Sequence, residues 1–211
     1  MSNFRTWTRQ RLNKRFGLKQ VSQHPILQAW LNTPFELNDF EKMSANYLRE
    51  ILVERVDFWN EEELKLKFIG SIISLVNFET AYFSAFADRY LGAVVDGEEL
   101  SGEPDIMVAR GTQEPETPYF CLHEYKKEID NDSPDPAGQC LASMLAAQEL
   151  NQNAFPIYGT YVIGRNWFFM ILKDKEYSIS NNYASTHEDE LLDILRILKV
   201  SKEIALQEAK K

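Results

Sequence analysis

The spacing of the apolar residues changes abruptly along the chain, and this change limits the possible fold more than any other feature. Between Pro25 and about Val56, and again from Glu61 to about Val76, apolar residues recur every three or four positions, which predicts amphipathic helices. Asn60 stands where it can cap the second stretch. After Val76, short runs rich in β-branched and aromatic residues take over, as is typical of strands. We predict five strands, over residues 90–95, 105–109, 119–126, 157–163 and 167–172.

The connections between these runs favour an α/β fold. Gly164-Arg165-Asn166 joins the last two strands and predicts a hairpin. Asp135 and Pro136 suit the start of a helix that extends to about Leu150, and a final amphipathic helix begins near Glu188. Helices, then strands, then a helix that crosses over to more strands, predict a mixed β-sheet flanked by helices.

The bulk composition is that of one compact domain. A chain of 211 residues with 44% hydrophobic content can bury a sizeable core. We expect residues 1–57 to form a basic arm and helical extension, able to pack as one unit with an α/β domain over residues 58–211. No apolar run approaches the ~20 residues that cross a bilayer, and no secretion signal begins the chain. We therefore expect a cytoplasmic protein that does not enter membranes, with Cys121 and Cys140 as reduced core thiols.

Charge is unevenly distributed along the chain. The net charge is -9, yet the first 20 residues carry six basic side chains and no acid, so the rest of the chain carries -15. Phe4, Trp7 and Phe16 are interleaved with these basic residues, and such a segment could lie on a nucleic acid backbone. The alternative is a solvated or helix-capping arm. The acidic remainder is unfavourable for phosphate binding, because Lys and Arg usually supply most of that affinity.

The segment that carries candidate chemistry is GEPDIMVARGTQEPETPYFCLHEYKKE, residues 102–128. Alternate side chains of a strand share a face, so Phe120, Leu122, Glu124 and Lys126 are expected on one face. An acid and a lysine that follow apolar residues out of a buried strand need a partner or a metal. Asp105 begins the preceding predicted strand, and pairing of the two strands would bring it beside Glu124.

Two adjacent carboxylates predict a divalent cation between them. Carboxylates a few ångströms apart repel one another unless a cation lies between them, and oxygen ligands favour Mg²⁺ or Mn²⁺ over Zn²⁺. His24, His123 and His187 are scattered without the spacing of zinc ligands, and each is expected to be an ordinary surface or core histidine.

Pro-Asp followed by Glu-x-Lys on the next strand resembles the signature of the PD-(D/E)xK nuclease superfamily, the fold of many restriction endonucleases. In addition, NEEELKLKFIGSII, residues 60–73, is similar to the start of the nuclease domain of type I restriction subunits. The resemblance covers roughly residues 58–175. It implies a restriction-endonuclease-like fold and Mg²⁺- or Mn²⁺-dependent hydrolysis of phosphodiester bonds in nucleic acid, with DNA favoured over RNA.

The resemblance also implies roles for single residues. Asp105 and Glu124 would hold the metal, with Glu61 as the helical acid; Glu62 is nearly as good a match. Lys126 would orient the attacking water, and Gln139 would position groups from the helix after the Glu-x-Lys strand. Each has an ordinary alternative, since an acid in the first helical turn is favoured by the helix dipole and Gln is a common helix residue.

Three functions stay open at this point. The chain is an active nuclease, a nuclease fold retained as an interaction module with an idle site, or a nucleic-acid-binding protein that performs no chemistry. Glu124 and Lys126 could also be a mere exposed cross-strand pair, with Asp105 a turn residue. A homodimer or a larger complex is a further expectation, because cutting both strands of a duplex with one site per chain favours a dimer.

Overall fold

The computed structural model describes residues 2–128 and 135–211 and has an α/β fold, with a mixed β-sheet flanked by helices. The elements before the sheet are β1 (Ser2–Asn3), a 3₁₀ turn (Phe4–Thr6), α1 (Arg9–Phe16), β2 (Lys19–Gln20), α2 (Pro25–Asn32), α3 (Asp39–Arg55), α4 (Glu61–Leu64), a π-helical turn (Lys65–Ile69) and α5 (Gly70–Val76). The remaining elements are β3 (Ser84–Ala87), β4 (Leu91–Val95), β5 (Glu98–Gly102), β6 (Ile106–Arg110), β7 (Glu116–Lys126), α6 (Pro136–Leu150), β8 (Ile157–Ile163), β9 (Asn166–Lys173), β10 (Glu176–Ile179), β11 (Tyr183–Ala184) and α7 (Glu188–Ala209).

The large sheet has the strand order β2-β10-β9-β8-β7-β6-β3, and β11 pairs with β9. Its central pair, β7 and β8, is parallel, and α6 makes the crossover between them. The pairs β6–β7 and β8–β9 are antiparallel. The predicted hairpin is therefore confirmed, with Gly164 at a positive φ of 55° in its turn. A second sheet has the order β1-β5-β4.

The large sheet is buried on both faces. Helices α2, α3, α5 and α7 cover one face, around Trp30, Phe68 and Trp167. Helices α1 and α6 and the small sheet cover the other face, around Leu12 and Leu141. Such double coverage explains why the central strands are nearly continuous apolar runs. Within the described residues, no helix is long and apolar enough to cross a membrane.

The N-terminal segment is part of the fold, and its aromatic residues belong to the core. Phe4, Trp7 and Phe16 are buried in the core, so these three rings are not available to contact a nucleic acid. Their burial follows from close backbone packing. A side chain at Gly138 of α6 would collide with the backbone of residues 7–9, and one at Gly102 would collide with the Phe4 ring. The segment also contributes β1 to the small sheet and β2 to the large one.

The five predicted strands correspond to β4, β6, β7, β8 and β9. The predicted alternation on β7 is wrong at Phe120, which shares a core face with Cys121 and Tyr125. The cause is a register shift, because Val108 pairs with Cys121 whereas Ala109 pairs with Tyr119. This β-bulge leaves one extra residue in β7. Beyond the bulge the alternation holds, with Leu122 facing the opposite core.

Helix α3 exposes much of its apolar stripe. Phe40, Met43 and Tyr47 are exposed, while Glu41 is buried and pairs with Lys199 of α7. The capping box between Asn38 and Glu41 starts the helix, and the buried pair of Glu41 with Lys199 fixes this orientation. An apolar groove of about 750 Å³ follows between α3 and α5.

Candidate functional site

Strands β6 and β7 bring the three motif residues together. Ile106 pairs with His123, so Asp105, just before β6, lies opposite Glu124. Glu124 and Lys126 share a face of β7, and Lys126 Nζ lies 2.7 Å from Glu124 Oε1. The exposed fractions are 8% for Asp105, 3% for Glu124 and 4% for Lys126. The alternative of an exposed cross-strand pair is therefore wrong.

A backbone hydrogen bond fixes the position of Asp105. The backbone N–H of Tyr125 donates to Asp105 Oδ2 at 2.6 Å. Tyr125 lies between Glu124 and Lys126 in β7, so this bond holds the Asp105 carboxylate against the strand that carries the other two residues. Hydrogen bonds from N–H groups to a carboxylate are stronger than those between neutral groups.

Helix α4, which Asn60 caps, brings Glu61 next to the three motif residues. Asn60 caps the helix, with its side-chain oxygen accepting from the backbone N–H of Glu63 at 2.8 Å. Glu61 Oε2 lies 3.5 Å from Lys126 Nζ. The side chain of Glu62 is 82% exposed, against 26% for Glu61, and its only ion pair among the described residues is with Lys65. Of the two candidate helical acids, only Glu61 contacts Lys126, whereas Glu62 contacts Lys65 alone in the described part of the chain and is mostly exposed.

Lys65 is a member of the cluster that the sequence analysis missed. Its Nζ lies 2.5 Å from Asp105 Oδ1 and 3.0 Å from Glu61 Oε1. Lys65 follows Glu61 by four residues, a spacing at which two side chains share a helix face. The four-residue spacing from Glu61 is the feature of the sequence that could have identified Lys65. Lys65 also begins the π-helical turn, a distortion often found at functional sites.

Three carboxylates and two ammonium groups form the acidic cluster: Glu61, Asp105, Glu124, Lys65 and Lys126. Burial, and then the nearby Asp105 carboxylate, raise the pKa of Glu124 to about 8. Burial also raises the pKa of Asp105, although Lys65 opposes the shift. For Lys126, burial alone would lower the pKa, but the surrounding carboxylates, Glu124 first, outweigh it and raise it. The acidic cluster has one more acid than it has lysines, and the raised pKa of Glu124 favours the protonated form of that carboxyl group.

The donors of the acidic cluster fit a hard divalent cation. Asp105, Glu124 and Glu61 offer only carboxylate oxygens, the ligands that Mg²⁺ and Mn²⁺ prefer. Over residues 2–128 and 135–211, no group of three or more His, Cys, Asp or Glu side chains already has metal-binding spacing. Instead, Lys65 and Lys126 pair with the carboxylates that would ligate the ion. A cation bound to Asp105 would have to displace Lys65.

Gln139 lies outside the acidic cluster. It is buried on α6 and forms no hydrogen bond with the three carboxylates or with either lysine, and its Oε1 has no partner among the described residues. It lines a separate cleft, together with Glu103 and Tyr90. The structure thus brings together Asp105, Glu124, Lys126 and Glu61, and leaves Glu62 and Gln139 apart from them.

The three histidines are ordinary core or surface residues, as expected, and both cysteines are core residues. His123 is buried, its Nδ1 lies 2.7 Å from the Tyr125 hydroxyl, and burial lowers its pKa to about 3. His24 accepts a hydrogen bond at the start of α2, and His187 pairs with Glu190. Cys121 and Cys140 are buried free thiols, which confirms the prediction of reduced core cysteines.

Comparison with known proteins gave no match: neither a model of a protein family nor a curated protein is similar enough to this sequence to be assigned.

Proposed function

We propose that this chain is a divalent-metal-dependent nuclease whose site is the acidic cluster. One observation carries the proposal: Glu61, Asp105, Glu124 and Lys126 come from a helix and two strands and meet in one buried place. Buried charge is costly unless it is paired, and a buried excess of acid is typical of sites that hold a cation or move protons. The resemblance of these residues to the PD-(D/E)xK pattern, on a mixed sheet, supports the same function.

Asp105 and Glu124 would hold the metal, with Glu61 at its edge, and the ion would lower the pKa of a bound water and neutralise phosphate charge. Glu124 and Glu61 hold the ammonium group of Lys126, which would orient the attacking water and contact a phosphate oxygen. A fixed positive charge there stabilises the negative charge that develops in the transition state. Lys65, released from Asp105, could contact the same phosphate.

Nucleic acid, with DNA favoured over RNA, is the substrate that we propose. The main support is the N-terminal segment, where Arg5, Arg11, Lys14, Arg15 and Lys19 remain exposed although the neighbouring aromatic rings are buried. Exposed Lys and Arg provide the counterion-release contribution to affinity that the acidic remainder of the chain lacks.

One observation favours a second candidate, a nuclease-like module with an idle site that serves protein interaction or nucleic acid binding. Lys65 and Lys126 already neutralise most of the acidic charge, so the cluster can persist without a metal. In that case the two lysines would be permanent structural partners of the acids, and Mn²⁺ would neither bind there nor support cleavage.

The test is cleavage of fluorescently labelled single-stranded and duplex DNA and RNA with Mg²⁺, Mn²⁺ or EDTA. The proposed nuclease cuts only with a metal, and Asp105→Asn or Lys126→Met lowers the rate by a factor of roughly 10² or more, as loss of one stabilising group typically does. Lys127→Met is the matched control, since Lys127 lies beside Lys126 in sequence but has no ion pair among the described residues. Equal loss in both lysine variants would remove Lys126 from its assigned role, whereas no metal-dependent cleavage by the unaltered protein would favour the idle module.

A further inference from the structure

A cleft of about 440 Å³ lies next to the acidic cluster, and the proposed metal chemistry does not use it. Arg5, Tyr90, Ser101, Glu103 and Gln139 are among the residues that line it. The volume is within the range of about 300–1,000 Å³ that is usual for small-molecule sites. Glu103 stands two residues before Asp105, so the backbone of this cleft residue lies within about 7 Å of the residue that would hold the metal.

Tyr90 presents an aromatic surface to this cleft. The outer end of its ring lies over Gly92, where a Cβ atom would be only 2.8 Å from Tyr90 Cζ. The residue is nevertheless 61% exposed. A ring that is supported on one side and open on the other is a platform on which a planar group can stack.

Gln139 supplies an unused hydrogen-bond acceptor. The residue is only 4% exposed, lines the cleft, and its Oε1 has no partner among the described residues. A buried polar atom without a hydrogen-bond partner is unfavourable, and a ligand that donates a hydrogen bond to it would remove that cost. Glu103 adds a carboxylate, which is also an acceptor. Together they favour a ligand that donates hydrogen bonds.

Arg5 supplies the positive charge. It is exposed, and its guanidinium group forms no ion pair with the residues that the structure describes. A stacking ring, acceptors for an amino group and a free cation correspond to the three parts of a nucleotide that proteins contact. Exocyclic amino groups occur on adenine, cytosine and guanine but not on thymine.

We infer that the cleft binds one unpaired nucleobase that bears an exocyclic amino group, stacked on Tyr90 and donating to Gln139, with Arg5 on the adjoining phosphate. A base inside a duplex is stacked on both faces and paired along its edge, so it cannot occupy the cleft. The substrate class is therefore single-stranded nucleic acid. As a statement about substrate, this inference rests on the proposed nuclease function; as a statement about binding, it can be tested without cleavage.

The experiment measures binding of labelled dA₁₂ and dT₁₂ by fluorescence anisotropy in EDTA, where no cleavage is expected. Tyr90→Ala should weaken dA₁₂ binding about tenfold, which corresponds to ~1.4 kcal/mol, whereas Tyr90→Phe keeps the ring and the affinity. Tyr47→Ala is the matched control, because Tyr47 is 64% exposed but lies in the groove of α3. The wild-type protein should prefer dA₁₂ to dT₁₂ by a similar factor.

Gln139→Met tests the acceptor without leaving a cavity, and it should abolish the preference for dA₁₂ while circular dichroism stays native. An unchanged preference, equal losses for Tyr90→Ala and Tyr47→Ala, or duplex binding that depends on Tyr90 as strongly would overturn the inference. Metal-dependent cleavage by a protein whose binding ignores Tyr90 removes the cleft assignment and leaves the nuclease proposal intact. Tyr90-dependent binding by a protein that never cuts supports the cleft and removes the nuclease proposal.

Discussion

Replacing Lys65 by Met tests whether this ammonium group occupies the place of a cation. Lys65 Nζ lies 2.5 Å from Asp105 Oδ1 and 3.0 Å from Glu61 Oε1. Removing one partner of a buried ion pair typically costs about 3–5 kcal/mol. The Lys65 side chain is still 20% exposed, and Lys126 also attracts Asp105. We therefore expect the free energy of unfolding to fall by about 2 kcal/mol in Lys65→Met. For a chain of this size the melting temperature should fall by about 4–8 °C.

Binding of a divalent metal ion should restore the stability that the Lys65→Met variant loses. A ligand at 100 times its Kd stabilises the folded state by about 2.7 kcal/mol, enough to restore the variant. Because Mn²⁺ no longer has to displace Lys65, it should raise the melting temperature of Lys65→Met more than that of the wild type. The assay is thermal unfolding followed by circular dichroism, with EDTA and across a Mn²⁺ series.

The control for this prediction is Lys67→Met, on the same helix. Lys67 pairs with Glu63 at 2.6 Å, but both side chains are well exposed, and such pairs are worth less than about 1 kcal/mol. Equal losses for the two variants would show that Lys65 has no special role. If the melting temperature of Lys65→Met is as low in Mn²⁺ as in EDTA, the idea that Lys65 occupies the place of a cation is refuted.

Three further predictions follow from the same geometry. In EDTA, the folded state raises the pKa of Glu124 from 4.5 to about 8 and so favours its protonated form. The stability that this group contributes is complete below about pH 4.5 and is lost as the pH rises through 8. The free energy of unfolding in urea should therefore depend less on pH in Glu124→Gln than in the wild-type protein. Glu61→Gln should weaken Mn²⁺ binding, measured by electron paramagnetic resonance, about tenfold. Glu62→Gln should not, because Glu61 contacts Lys126 whereas Glu62 is 82% exposed and, among the described residues, contacts only Lys65. Replacing the exposed Arg11, Lys14 and Lys19 by Gln should reduce the magnitude of the negative slope of log affinity against log salt concentration on single-stranded DNA by about 2. An unchanged slope would show that these residues are not part of the binding surface.

The sequence predicted the elements whose residues repeat a strong pattern. β8 and β9 are buried on both faces, so their apolar runs and the Gly164 turn identify the hairpin. β5 and β10 were missed because their residues, Glu98–Gly102 and Glu176–Ile179, include several polar side chains, and tertiary pairing rather than intrinsic preference makes them strands.

Orientation was harder to predict than secondary structure. The apolar stripe of α3 is helical as expected, yet Phe40 faces outward, because the buried pair of Glu41 with Lys199 orients the helix. Likewise, the basic residues near the N-terminus were recognised, but nothing in the local sequence indicates that Phe4 packs against Gly102, far along the chain. Both outcomes depend on contacts between distant segments.

The candidate site was partly predictable for the same reason. The side-chain alternation of a strand places Glu124 beside Lys126, and antiparallel pairing places Asp105 opposite Glu124. Glu61 could be chosen over Glu62 only once the helix had been placed against the sheet. Lys65 was overlooked because a lysine that follows three acids in a helix looks like an ordinary surface residue until Asp105 is seen beside it.

The most direct test of the central claim is an anomalous difference map from crystals of this protein soaked in Mn²⁺. The account predicts one strong peak within coordination distance of the Asp105 and Glu124 carboxylates, with the Lys65 ammonium group moved away from Asp105. A map with no peak there, and with both lysines still on their carboxylates at a saturating concentration of metal, would contradict it.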